Sequence, residues 1–401
     1  METVITSIKI IEYILLIYIG FASFYIFFFA FAGLFYRKKK RAIHGQARRI
    51  AILIPGYKED EVIIEVTKSA LQQKYPLNRF DVIVIADSFK EHTIYKLRRL
   101  PVRLIEVSFD QSTKSKALNK AMEVIGDDYD IALVLDADNI MEPQFISKIN
   151  KAFSKEIMVV QGHRVAKNLN TPFAILDAIS EEVNNHIFRK GHRALGLSSG
   201  LIGSGMAFDY KFFKNVMSNV KAVGGFDKEL EFKLFKDGRT IEYLNDAYVM
   251  DEKIQKSEDF EKQRKRWLST QFVYFRKYAL TGLKEFFLKG NLDFINKVYQ
   301  MIAPPRILLL GMVSLLTLTY FLFDFLSVSL QPHVKATYWY FVFAMTIMTF
   351  VVAVPRKFYN RETLVAALSL PKAFTTMFLL LFKLKGANNT FIHTNHTTNS
   401  Q

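Results

Sequence analysis

Three kinds of hydrophobic pattern follow one another along the chain. Tyr13–Tyr36 is apolar and carries no charge, a run longer than the ~20 residues that cross a bilayer core. From Ile50 the pattern changes to short apolar runs separated by polar, helix-periodic stretches. Ile50–Ile54, Asp81–Ala86, Val102–Val107 and Ile131–Leu135 read as strands, with helices over Asp60–Gln73 and Lys116–Val124. Continuous rather than alternating apolar character marks strands buried on both faces, as in a parallel sheet between helices. Beyond Trp267 aromatics alternate with bases, among them Phe272, Arg276, Lys277, Tyr278 and Lys284. That pattern predicts an amphipathic helix on a membrane surface. Ile307–Leu326 and Ala336–Val354 read as two further spans. Thr363–Leu384 holds Pro371 and Lys372 at its centre, and a central lysine costs ~2.5–3.5 kcal/mol on insertion scales. This last segment therefore reads as interfacial, or as entering and leaving on one side.

The predicted organisation is an N-terminal transmembrane helix with a basic flank (1–49), an α/β domain (50–268), and interfacial and transmembrane helices with a polar tail (269–401). A cleaved signal peptide fits the first segment poorly, because the positive charge follows the apolar run and no small-residue cleavage site is present. Arg37–Arg41 places that end of the helix in the cytoplasm and the N-terminus outside, and Arg356, Lys357 and Arg361 return the later pair to the same side. The expected location is thus the cytoplasmic membrane, with the central domain inside the cell. Asp324 falls near the outer end of its span and is not read as functional.

Net charge is +16, a balance that nucleic-acid binding could explain. The bases, however, gather beside apolar segments, at Arg37–Arg41, Arg48, Arg49, Lys262–Arg266, Arg356 and Lys357. That placement favours anionic lipid headgroups over nucleic acid. Cysteine is absent from the 401 residues, which removes disulfides, thiolate metal sites and cysteine nucleophiles.

The candidate chemistry lies where the apolar strands end. Ligands of open α/β sheets bind in the crevice beyond the carboxyl ends of the strands, and here those ends carry Asp87 and the pair Asp136 and Asp138. Two carboxylates at i and i+2 can grip one hard divalent cation, although Asp-x-Asp is also common in turns. Asp87 could accept a hydrogen bond from a base or ribose, or simply close an Asx turn. Lys114 and Lys116 could meet phosphate, or sit solvated at a helix start.

In order along the chain these residues resemble the membrane-bound family-2 glycosyltransferases, the group containing cellulose, chitin and hyaluronan synthases. Ile54-Pro55-Gly56-Tyr57-Lys58-Glu59 is similar to that family's Pro-x-Tyr-x-Glu element, and Lys114-Ser115-Lys116-Ala117-Leu118-Asn119 to its Lys-x-x-Ala-Leu-Asn. Asp136-Ala137-Asp138 resembles its metal motif and Gly203-Ser204-Gly205 its small-residue acceptor segment. Gln263-Arg264-Lys265-Arg266-Trp267 matches Gln-x-x-Arg-Trp, the most specific element. Phe391–His396 is similar to the cellulose synthase gating loop, with His396 where that loop has lysine.

The resemblance implies an α/β, Rossmann-like GT-A catalytic domain flanked by transmembrane and interfacial helices. It implies nucleotide contacts from Pro55, Tyr57, Glu59, Asp87, Lys114, Asp136, Gln263, Arg266, Thr394 and His396. Asp136 and Asp138 would hold Mg2+ or Mn2+, and Gly203, Ser204, Gly205 and Trp267 would meet the acceptor. Register places Glu229 at the catalytic-base position, with Asp227 second and Lys228 where the family has an acidic neighbour. The implied activity is inverting transfer from a nucleotide sugar, UDP-linked by this reading, to a growing β-linked polysaccharide. A single transfer to a lipid acceptor (ceramide, diacylglycerol or a polyprenyl carrier) is the alternative. The Lys228 departure also leaves room for an inactive nucleotide-binding partner of another synthase.

Overall fold

The computed structural model describes residues 2–38, 46–220, 222, 224–255, 257–326 and 333–384. Thr394 and His396, and with them the gating-like loop, lie outside the described residues, as does the basic stretch from Lys39 to Arg41.

Eight strands run through the central domain: β1 (Ile50–Tyr57), β2 (Phe80–Asp87), β3 (Arg103–Val107), β4 (Ile131–Val134), β5 (Ile140–Met141), β6 (Val159–Ala166), β7 (Met206–Asp209) and β8 (Ile241–Asp251). They form one sheet in the order β3-β2-β1-β4-β7-β6-β8-β5. The four strands legible as apolar runs make its parallel half, with Leu53 opposite both Ile83 and Val134. β7 runs antiparallel between β4 and β6, and β6 pairs with β8 in parallel. The α/β character follows the strand pattern, and the Rossmann-like form is the one the resemblance implies, with antiparallel β7 making the sheet mixed. Its two faces are buried separately, one under the helix Lys114–Ile125 and the Phe226–Lys236 region, the other under Ile63–Leu71 and Phe145–Ala152.

Three helices among the described residues are long and apolar enough to cross a membrane: Ile5–Gly33, Arg306–Phe325 and Ala336–Ala353. The first starts earlier than the uncharged run suggested. Glu12 lies inside it, and its carboxylate accepts from the backbone N–H of His333 and Val334 at 2.8 and 3.0 Å. Arg361–Ala367 and Leu370–Leu380 form a helix pair bent by 41°, with Pro371 in the first turn of the second helix.

The segment after Trp267 departs from expectation. Ser257–Lys289 is one helix of 33 residues, and its aromatic side covers the α/β domain. Phe232 stacks on Tyr278 at 4.2 Å between ring centroids, and the returning helix Leu292–Ile302 adds Phe294 to the same cluster. Leu280, Phe287 and Leu288 remain exposed on the other side. Burial of aromatic area outweighs interface binding on one face only.

Two bases grouped above with the lipid-facing ones are used within the domain. Arg48 donates to the carbonyls of Asn150 and Phe153. Arg49 pairs with Asp81 at 3.1 Å, and its backbone N–H donates to Asp130.

The N-terminal helix is joined to the domain over its last three turns. Phe29 stacks on His192 at 4.0 Å, and His186 bonds the carbonyl of Ala30 at 2.8 Å. Tyr36 donates to the carbonyl of Tyr243. Gly191 makes this contact possible. Its backbone is ordinary helix, φ −60°, but an added Cβ would lie 2.2 Å from the carbonyl oxygen of Phe29. Backbone cannot yield as a side-chain end can, so Gly191→Ala should cost ~1–3 kcal/mol by overpacking. Thermal unfolding of the detergent-purified protein measures this, and an unchanged midpoint would refute the docking described.

Candidate active site

The crevice begins where β1 and β2 stop. Each is followed by a non-glycine residue in the left-handed region, Lys58 at φ 56° and Ser88 at φ 61°. Such a conformation costs about 1–2 kcal/mol per residue, and strain of this kind concentrates at functional sites. Asp87 closes β2 with its side chain buried, its carboxylate accepting from the Ser88 hydroxyl at 2.9 Å. Its backbone carbonyl accepts from Lys58, which ties the two strand ends together. Pro55 and Tyr57 line the end of β1, and Glu59 follows in the next turn. A Cβ at Gly56 would meet the end of the Phe89 ring at 2.6 Å, so a side chain there would have to displace that ring.

Beyond β4 the chain turns through Asp136, Ala137 and Asp138. Ser204 holds that turn. Its hydroxyl accepts from the backbone N–H of Asp136 at 2.9 Å and from the Asn139 amide at 2.6 Å. Read from sequence as an acceptor contact, Ser204 is instead fully buried, so the Gly203–Gly205 segment can offer the crevice only backbone and glycine. Gly203 and Gly205 both take left-handed φ, 84° and 60°, which bring this segment back under the turn.

Lys114 opens the helix Lys114–Ile125, whose N-cap is Thr113. Its ammonium pairs with the Asp136 carboxylate and donates to the Gly203 carbonyl at 2.7 Å. A cation is therefore already gathered at Asp136 by the protein itself. Among the described residues no cluster of three or more His, Cys, Asp or Glu side chains could hold a metal. Two carboxylates suit a hard cation such as Mg2+ that takes its remaining ligands from phosphate oxygens and water, so Asp136 and Asp138 fit that role.

Two further elements close the crevice. Arg266, on the Ser257–Lys289 helix, lies within the fields of both Asp136 and Asp227; burial lowers its pKa, while those two carboxylates oppose the shift. Trp267, next along, remains 39% exposed. The Gln263 side-chain oxygen on the turn before is buried without a hydrogen-bond partner. Arg264, which sequence reading passed over, anchors the helix: it pairs with Asp177 at 2.5 Å and lies 4.3 Å over the Trp267 ring.

The two base candidates separate here. Residues at i and i+2 on a helix do not share a face. Glu229 turns toward the Ser257–Lys289 helix, is 6% exposed, and pairs with Lys277 at 3.2 Å. Asp227 lies in the field of Arg266 and pairs with Lys228 at 2.8 Å. Burial pushes the Asp227 carboxyl up, but the Lys228 ammonium outweighs it and holds the group below its ordinary value.

Residues 47–270 match the family model described as "Glycosyltransferase like family 2". No curated protein matches the chain. Among solved structures it is similar to the mannosyltransferase PcManGT from Pyrobaculum calidifontis, solved in complex with GDP-Man and Mn2+. The TM-score is 0.53 at 14% identity, over 92% of this chain and 95% of that chain. A looser likeness links it to glucosyl-3-phosphoglycerate synthase from Mycobacterium tuberculosis, solved with Mn2+, UDP and glucosyl-3-phosphoglycerate. There the TM-score is 0.38 at 15% identity, over 55% of this chain and 80% of that chain. The first likeness establishes a shared fold, and the second carries no argument.

Ser204→Ala tests the architecture of the turn without reference to any reaction. It would strand two buried donors, the Asp136 N–H and the Asn139 amide, at a cost of about 1–3 kcal/mol. A variant as stable as the wild type in thermal unfolding would show that the turn is held by something else.

Proposed function

The chain belongs to the glycosyltransferase-like family 2, and on that premise we propose that it performs inverting sugar transfer from a nucleoside-diphosphate sugar at a membrane face. Asp87, Pro55, Tyr57 and Glu59 receive the base and ribose at the ends of β1 and β2. Lys114 and Arg266 meet the diphosphate, and Gln263 turns its unpaired oxygen toward the bound donor. Asp136 and Asp138 hold Mg2+ or Mn2+, which when bound neutralises charge growing on the leaving diphosphate.

Asp227 is the base. It takes the proton of an acceptor hydroxyl as that oxygen attacks the anomeric carbon from the face opposite the diphosphate. The sugar–phosphate bond breaks, the configuration inverts, and a β-linkage results. The observation that supports Asp227 over Glu229 is electrostatic and geometric. Arg266 feels Asp227 and Asp136 together, whereas Glu229 is engaged by Lys277 of the Ser257–Lys289 helix. The hold of Lys228 keeps Asp227 ionised at neutral pH, and proton transfer comes late, when the attacking oxygen has become acidic.

The acceptor in this reading is the end of a growing β-linked polysaccharide, with exposed Trp267 as its stacking platform. The catalytic domain faces the cytoplasm and the N-terminus lies outside. Incubation of the detergent-purified protein with Mn2+ or Mg2+ and a panel of UDP- and GDP-sugars tests the proposal through released nucleotide and product length. One donor should be turned over, with a ladder of long products. Asp227→Asn should lower kcat by roughly 10²–10⁴-fold, and Glu229→Gln should leave it within a few-fold. The reverse pattern would return the base to Glu229. A single added sugar on lipid would replace the acceptor, and nucleotide binding without turnover of any donor would sink the catalytic reading.

A further inference from the structure

Behind the crevice, on the side away from Asp136, runs a line of buried charges that the proposed reaction does not use directly. Asp227 pairs with Lys228 at 2.8 Å, and Lys228 lies 3.8 Å from Glu231. Glu231 pairs with Lys297 at 2.6 Å, and its other oxygen accepts from the backbone N–H of Leu201 at 2.8 Å. Glu231 is fully buried and Lys297 nearly so. Signs alternate along the line: minus, plus, minus, plus. Lys297 belongs to the helix Leu292–Ile302, which leads into the second membrane span. Its ammonium also donates to Gln300 at 3.4 Å, whose amide donates to the hydroxyl of Tyr25 on the N-terminal membrane helix at 3.3 Å. A cavity of about 10 Å³ beside Lys297, lined also by Asn296 and Ser199, has room for a single water.

A buried carboxylate needs a compensating cation. With Lys297 charged, Glu231 has its own partner and Lys228 stays with Asp227. With Lys297 neutral, the other cation paired with Glu231 among the described residues is Lys228, which is drawn away from Asp227. We propose that Lys297 is a positioning residue for the transfer reaction, its charge keeping Lys228 on Asp227 and so fixing the base carboxylate toward the acceptor. This rests on Asp227 being the base.

The charge in question titrates within reach. Burial lowers the Lys297 pKa and Glu231 only partly restores it, leaving it at about 8. The other ionisable groups around it are Arg189, whose charge acts on Lys228, and His192, which burial holds neutral down to about 3. Tyr25 reaches it through Gln300. Asp293 lines the same cavity, and burial raises its pKa. From the Ser257–Lys289 helix comes Tyr278, packed on Phe294, with its pKa raised by burial. None but Lys297 is a cation losing its charge near pH 8.

The experiment is the kcat and donor KM of the full-length protein between pH 6 and 10, in four forms besides the wild type. Wild-type kcat should fall through an apparent pKa of about 8. Lys297→Arg should keep kcat high and carry that limb upward by more than about one unit, because guanidinium stays charged. Lys297→Met should already show the low, high-pH rate at pH 7, with KM within about twofold, since only the transition-state contact is lost. Lys297→Met with Glu231→Gln removes both charges, leaves Lys228 with Asp227 alone, and should recover most of the rate; it also guards against misfolding of the single variant. Asp227→Asn completes the set. A limb near 8 that survives in Lys297→Arg, or a double variant as slow as Lys297→Met, overturns the proposal while the base assignment stands. An active Asp227→Asn overturns the base assignment and this proposal with it.

Discussion

The close approach at Gly225 governs the geometry of the crevice. Gly225 is the residue before the Phe226–Lys236 helix, at φ 67°. An added Cβ would lie 2.4 Å from a Thr270 methyl and 3.2 Å from the Tyr274 ring. Only glycine accepts both that backbone and that contact. With it, the Ser257–Lys289 helix lies directly against the start of the helix that carries Asp227 and Glu229. Arg266, one turn before Thr270, lies within the fields of Asp136 and Asp227. On the same helix Lys277 reaches Glu229 at 3.2 Å. One missing methyl group thus lets the two helices meet at this point.

At the joint between the domain and the apolar helices buried charges are paired, and the Lys357–Glu182 pair crosses it. Desolvated charges are tolerated only when paired, and the joint between the two regions is full of them. Arg264 meets Asp177, Arg164 and Arg189 share Glu181, and Lys357, just past the third span, meets Glu182. Glu182 also bonds His163, and its pKa falls to about 2 because His163 and Lys357 together overcome the upward push of burial. Removing one member of such a set leaves a buried charge exposed to no solvent, so the joint behaves as a unit.

What was legible in the sequence follows from how strongly each segment signals. β1 to β4 were readable because strands buried on both faces form unbroken apolar runs. β6 and β8 were not, because His163, Arg164, Glu242 and Asp246 interrupt them; those polar residues are satisfied by ion pairs that no periodicity reveals. β7 is only four residues long. Strand-end carboxylates and the Gln-x-x-Arg-Trp segment were readable as chemistry, since their residue types and order carry the signal. A serine between glycines looks like a loop contact in sequence, and only the fold shows the Ser204 hydroxyl turned inward. Register favoured Glu229 over Asp227, but it carries no information on partners distant in sequence, such as Lys277 for Glu229.

The Leu292–Ile302 helix shows the same limit from the other side. Lys297 sits among Phe294, Val298 and Met301, all buried, and in a pattern of aromatics and bases it reads as one more lipid-facing cation. Its true environment is set by two elements far away in sequence, the helix carrying Glu231 and the membrane helix carrying Tyr25. A charge on the apolar side of a helix is costly, and the cost is met only by a carboxylate delivered by another element. Because Glu231 lies one turn from Asp227, meeting that cost draws the membrane-proximal helix and the crevice into one electrostatic unit. The interaction that lets this helix fold against the domain is therefore the one that links Asp227 and Lys228 to the N-terminal apolar helix.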